Sequence, residues 1–130
     1  MSSIMSTSAR AISSEHFEPE AALGPQEARK LRGHLEQIDY AAFAANREVV
    51  GQVLGRVDLG TFQRMAVAAA HARSKWVSAA AAMTDKAHAL TPDQVAQLGI
   101  LRKTYDELTE AYEAMRRMVE RGYLGYQPKA

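Results

Sequence analysis

TPDQVAQLGILRKTYDELTEAYEAMRRMVER, residues 91–121, decides the fold of this 130-residue chain. Leu98, Leu101, Tyr105, Leu108, Tyr112, Met115 and Val119 recur every three or four positions. Arg102, Lys103, Asp106, Glu110, Glu113, Arg117 and Glu120 fall between them. An apolar stripe of this period opposite a charged face is the pattern of an amphipathic helix. Thr91 can cap it, because a side-chain oxygen accepts a free backbone N–H at a helix start. Pro92 suits the first helical position, where its missing N–H would have no partner anyway. The pattern predicts a helix over about 92–121.

Working back along the chain, Asp58 is a second cap residue and opens a helix over about 59–88. Its stripe reads Phe62, Ala66, Ala69, Arg73, Trp76, Ala80, Met83 and Ala87. The other faces are also apolar, with Val67, Ala68, Ala70, Ala81 and Ala82. A helix that is apolar nearly all round is normally a covered one. Two neighbours in a three-helix bundle cannot cover every face, so the surplus predicts a second copy of the chain, packed on Ala68, Ala81 and Ala82.

Gly24-Pro25 opens the first helix, over about 25–56. Leu31, Leu35, Ile38, Ala42, Ala45 and Val49 follow a 4-3-4-3-4 spacing, which keeps one face turned to a partner. Gly51 and Gly55, one turn apart, predict fraying or close packing near the following turn.

The fold class is therefore all-α: an antiparallel up-down-up bundle of three long helices that dimerises, with an irregular N-terminal tail. Its organisation is a tail over 1–24, the bundle over 25–122, and a C-terminal tail over 123–130. Thirty residues at 1.5 Å rise give each helix a length of about 45 Å. Tyr123-Leu124-Gly125-Tyr126 in the C-terminal tail reads as a cap folded back over the bundle end. Counting back from the turns places Tyr40, Trp76 and Tyr105 at one level, a mid-bundle aromatic layer. Arg73 interrupts the second stripe, and an unpaired buried cation is costly. It should therefore reach Asp39, Asp106, Glu110 or Glu113.

Composition bounds the chemistry. Sixteen Lys and Arg against fifteen Asp and Glu leave a net charge of +1. A phosphate-neutralising protein usually shows a clearer basic excess. There is no cysteine, so disulfides, thiolate metal sites and cysteine nucleophiles are excluded together. No apolar stretch in the first fourteen residues matches a secretory signal. The most apolar run, 65–83, is interrupted by His71, Arg73 and Lys75, so it does not read as a membrane span. Glu-x-x-His pairs, His-Glu-x-x-His, glycine-rich phosphate loops and Gly-x-Ser-x-Gly are missing from the sequence. The expectation is a cytoplasmic, non-enzymatic protein-interaction module of scaffold, adaptor or chaperone type. No catalytic residue, metal or cofactor is assigned, and the partner is another protein, first of all another copy.

Two alternatives remain open. Ala70-His71-Ala72-Arg73-Ser74-Lys75 resembles the phosphoacceptor region of histidine phosphotransfer domains, helical bundles with an exposed mid-helix histidine. The shared features are the Ala-His pair, nearby cations and the small-residue run 78–82. The family's Lys and Gly three and four residues after the histidine are here Ser74 and Lys75. The resemblance implies His71 as phosphoacceptor in a phosphorelay. Alternatively, Arg64, Arg73, Lys75 and Lys86 could offer an anionic-partner surface, as in a nucleic-acid-associated accessory protein.

Overall fold

The computed structural model describes residues 23–129, and of these most are helical. The elements are α1 (Pro25–Leu54), β1 (Arg56–Asp58), α2 (Leu59–Lys86), α3 (Pro92–Glu120) and β2 (Gly125–Gln127). Among the described residues the class is all-α with three helices, and α2 and α3 pack along each other. Apart from Leu23 and Gly24, the N-terminal tail read over 1–24 lies outside the described residues. The backbone divides within α1, into Met1–Asp39 and Tyr40–Ala130. In the first unit, residues 25–39 are helix with no buried side chain.

In the second unit the helix starts follow the side-chain chemistry. Asp58 accepts from the Thr61 N–H at 2.9 Å, capping α2. That hydrogen bond holds the Asp58 carboxyl below its ordinary value of 3.8. At α3 the cap is reciprocal: Thr91 Oγ1 accepts from the Gln94 N–H at 3.2 Å, and Gln94 Oε1 accepts from the Thr91 N–H at 2.9 Å. Two otherwise unpaired donors are satisfied together, a capping box. Helix α2 ends at Lys86 with Ala87 as its cap, two residues short of the expected 88, so His88 lies in the following loop.

Phe62, near the start of α2, meets Tyr112, near the end of α3, with centroids 5.5 Å apart. Trp76, further along α2, meets Tyr105, earlier in α3, at 6.1 Å. Advancing along one helix thus moves back along the other, and the pair is a helical hairpin closed by the loop 87–91. Every residue of the α3 stripe read from sequence is buried or half-buried, and the seven charged residues opposite are exposed.

The α2 face is rotated from its expected position. Beyond Gly60 and Thr61 in its first turn, its least exposed residues are Phe62, Met65, Ala69, Ala72, Trp76, Ala79, Ala80 and Met83, and Ala72 is buried. Phe62, Ala69, Trp76, Ala80 and Met83 keep their places, Met65 and Ala72 replace Ala66 and Arg73, and Ala87 is exposed beyond the helix end. Arg73 is consequently exposed, and no ion pair forms on it among the described residues. A cation left in water needs no buried carboxylate, so the expected partner is not required.

The core gathers at one end. Val57, Met115 and Leu124 are buried together, with Val50, Phe62, Met65, Met118 and Val119 packed against them. Leu124, read as part of a tail, is the least exposed of these at 4%. It arrives there through a tight helix ending. Gly122 has φ +78°, with its N–H bonded to the Val119 carbonyl and the Tyr123 N–H to the Met118 carbonyl. This is the Schellman arrangement, and the left-handed backbone at its centre favours glycine. The returning chain forms β2, paired in parallel with β1 in the register Arg56↔Gly125, Val57↔Tyr126 and Asp58↔Gln127.

Residues 40–54 of α1 meet this end through Phe43, whose ring lies 5.6 Å from Tyr123, and through Arg47, which donates to the Gly122 carbonyl at 3.2 Å. Val50 joins the core cluster. These residues sit on average about 130° around the helix from Ala42, Ala45 and Val49, taking 3.6 residues per turn. The 4-3-4-3-4 stripe therefore does not form the core face, and its large members are exposed. Tyr40 lies about 160° around the helix from Ala42. It is 70% exposed, so the aromatic layer holds Trp76 and Tyr105 without it.

Candidate functional site

Two grooves and two apolar helix faces stand out on the described surface. One groove, about 330 Å³, lies at the core end and is lined by Leu59, Phe62, Tyr112, Arg116, Val119, Glu120 and Tyr126. Phe62 stands edge-on to both tyrosines, 5.5 Å from Tyr112 and 6.0 Å from Tyr126. The strand pairing brings Tyr126 to the lining of this groove. The second, about 210 Å³, shares Tyr112 and runs over Ala66, Ala69 and Ala70 towards Arg73, Tyr105 and Thr109. Alanines on its floor leave room for a side chain or helix from outside. Thr109 Oγ1 is buried there without a hydrogen-bond partner among the described residues.

The back of α2 carries the first apolar face. Gln63, Val67, Ala70, Ser74, Val77 and Ala81 repeat at 4-3-4-3-4 spacing, all exposed, with Val67 at 57% and Val77 at 54%. Ser74 turns its hydroxyl inward, donating to the Ala70 carbonyl at 2.8 Å, so the face presents little polar demand. Of the expected interaction residues, Ala81 belongs to this face. Ala68 and Ala82 are exposed too, but lie about 140° and 100° around the helix from Ala81, so the three do not form one patch. Val67 and Val77, which define the face, are legible in sequence only once the stripe is counted from Gln63.

The second apolar face is the stripe of α1, where Leu31, Leu35 and Ile38 are all exposed.

His71 is exposed on α2, with Lys75 one turn onward and Arg64 two turns back along the same side. Arg73 lies elsewhere, at the rim of the alanine groove. Among the described residues no group of three or more His, Cys, Asp and Glu is placed to hold a metal ion. The pKa of Asp58 is lowered, and its carboxylate is committed to the α2 cap. Among the described residues no helix is long and apolar enough to cross a membrane.

Comparison with known protein families, with curated proteins and with solved structures gives no match.

Proposed function

We propose that this chain is a non-enzymatic helical module that works by holding other protein chains on its helix faces, beginning with further copies of itself. The observation that carries the reading is the exposed row of Val67, Val77 and Ala81 behind α2, with Ala70 at its border with the alanine groove. A helix whose front face is already used by α3 has no structural need for a second apolar face. Contiguous apolar surface of this kind marks interaction sites, and small side chains let another helix approach closely. Its hydroxyl-bearing member is satisfied within the helix, so covering the face strands few polar groups. The absence of cysteine suits a reducing compartment, and a cytoplasmic setting is part of the proposal.

The test is sedimentation velocity on the full chain, on Val77→Glu and Ala81→Glu, and on Glu110→Ala as a control from the charged face of α3. The unmodified chain and the control should sediment as an oligomer at tens of micromolar, and the two face variants should shift towards monomer. Unchanged assembly in both face variants would contradict the role given to α2.

A further inference from the structure

We propose that residues 25–39 of α1 pair with the same residues of a second copy as a parallel, in-register two-stranded coiled coil. This rests on the reading of the protein as a self-associating module and names the element and the geometry. Three observations support it.

The first is heptad order. Ala28, Leu31, Leu35 and Ile38 occupy the a and d positions. The outward b, c and f positions hold Gln26, Arg29, Lys30, Gly33, Glu36 and Gln37, all polar or glycine. Such a pattern specifies a seam between helices rather than a broad core face. The second is exposure. Leu31, Leu35 and Ile38 lie in open surface, with Ile38 62% exposed, on a stretch where no residue is buried.

The third is charge, which selects both the occupant and its direction. The flanking g and e positions are Glu27, Arg32, His34 and Asp39. In a parallel in-register pair each g residue faces the e residue five positions later on the other chain. Glu27 then meets Arg32 of the second copy and His34 meets Asp39, each twice by symmetry. All four contacts bring a carboxylate to a donor, and none brings like charges together. An antiparallel pair centred on this stretch would instead bring the two Arg32 side chains together. Among the described residues none of these four has an ion-pair partner within its own chain. In sequence the seam spacing runs on through Ala42, Ala45 and Val49.

The natural lack of cysteine makes the test clean. Leu31→Cys and Ile38→Cys, each made singly in the full chain at exposed positions, are oxidised with copper phenanthroline at micromolar concentration. A parallel in-register pair holds both positions against their own counterparts, within the short reach a disulfide demands. Both variants should therefore form covalent dimers. An antiparallel pair can bring at most one of the two positions to itself, so cross-linking of one alone overturns the proposal. Cross-linking of neither, in a chain that light scattering still shows as an oligomer, overturns this geometry while leaving the interaction reading in place. A monomer overturns both. As an independent arm, Glu27→Lys and Arg32→Glu should each weaken self-association by about tenfold, since two attractive contacts become repulsive. An equimolar mixture of the two variants should recover it as a heterodimer. Failure of the mixture to recover would contradict the pairing.

Discussion

Trp76 of α2 stacks on Tyr105 of α3, with ring planes 24° apart and centroids separated by 6.1 Å, and Arg102 Cζ lies 5.6 Å from the Trp76 ring centroid. The arrangement joins the two helices midway and shields the indole on a helix pair whose buried core lies elsewhere. Trp76→Ala should cost about 2–3 kcal/mol, less than a fully buried tryptophan because the ring is half-exposed. Arg102→Ala should cost under about 1 kcal/mol, as expected of an exposed cation over a ring. Thermal unfolding followed by circular dichroism distinguishes the two.

Leu124 carries a prediction about the C-terminus. Buried with Val57 and Met115, it belongs to the core although it follows the last helix. Leu124→Ala should destabilise by about 2–4 kcal/mol, the range for removing a buried leucine side chain. Urea denaturation provides the check: a midpoint unchanged from the parent chain would show that this segment does not close the core.

Two glycines should respond in opposite directions to the same substitution. Gly51 lies inside α1 with nothing within 4 Å of the position an alanine methyl group would take, so Gly51→Ala should gain about 1 kcal/mol from helix propensity. At Gly122 the space is also adequate, the nearest atom being Phe43 Cε1 at 3.7 Å, but the backbone is left-handed. Gly122→Ala should therefore lose about 1 kcal/mol or more. The sign of each change in denaturation midpoint is the readout.

Asp58 predicts a pH dependence. Its folded pKa is lowered, chiefly because the carboxylate accepts from the Thr61 N–H. A depressed carboxylate contributes stability that is present above its ordinary value of 3.8 and is lost as pH falls through the folded value. The stability gap between the parent chain and Asp58→Ala should thus be full at neutral pH and shrink below about pH 4. In Asp58→Asn, which keeps an acceptor without the ionisation, this part of the pH dependence should vanish. Denaturation midpoints measured from acid to neutral pH test the window.

These features differ in how far the sequence reveals them. Thr91-Pro92 and Asp58 mark helix starts through local chemistry, and the α3 stripe separates apolar from charged residues so cleanly that its buried face follows directly. On α2 nearly every position is small or apolar, so counting three rather than four from Phe62 chooses Met65 and Ala72 over Ala66 and Arg73. The hydrophobic pattern alone does not choose between them; the packed structure does, burying Ala72 and leaving Arg73 exposed. On α1 the 4-3-4-3-4 spacing points to one face, but the core is met through Phe43, Arg47 and Val50 instead, because spacing alone does not say which face a neighbour covers. The strand pair joins residues about seventy positions apart through three-residue segments, too short to show alternation. Its traces in sequence are Gly55 and Gly122, the two positive-φ positions among the described residues. For the same reason the groove formed by Phe62, Tyr112 and Tyr126 is invisible until the C-terminal segment is folded back.

The central claim is that the exposed helix faces are contact surfaces between protein chains, and the molar mass of the unmodified chain in solution tests it most directly. Multi-angle light scattering from micromolar concentrations up to tens of micromolar should give at least twice the 14.3 kDa chain mass at the upper end. A constant mass of 14.3 kDa over the whole range would contradict it.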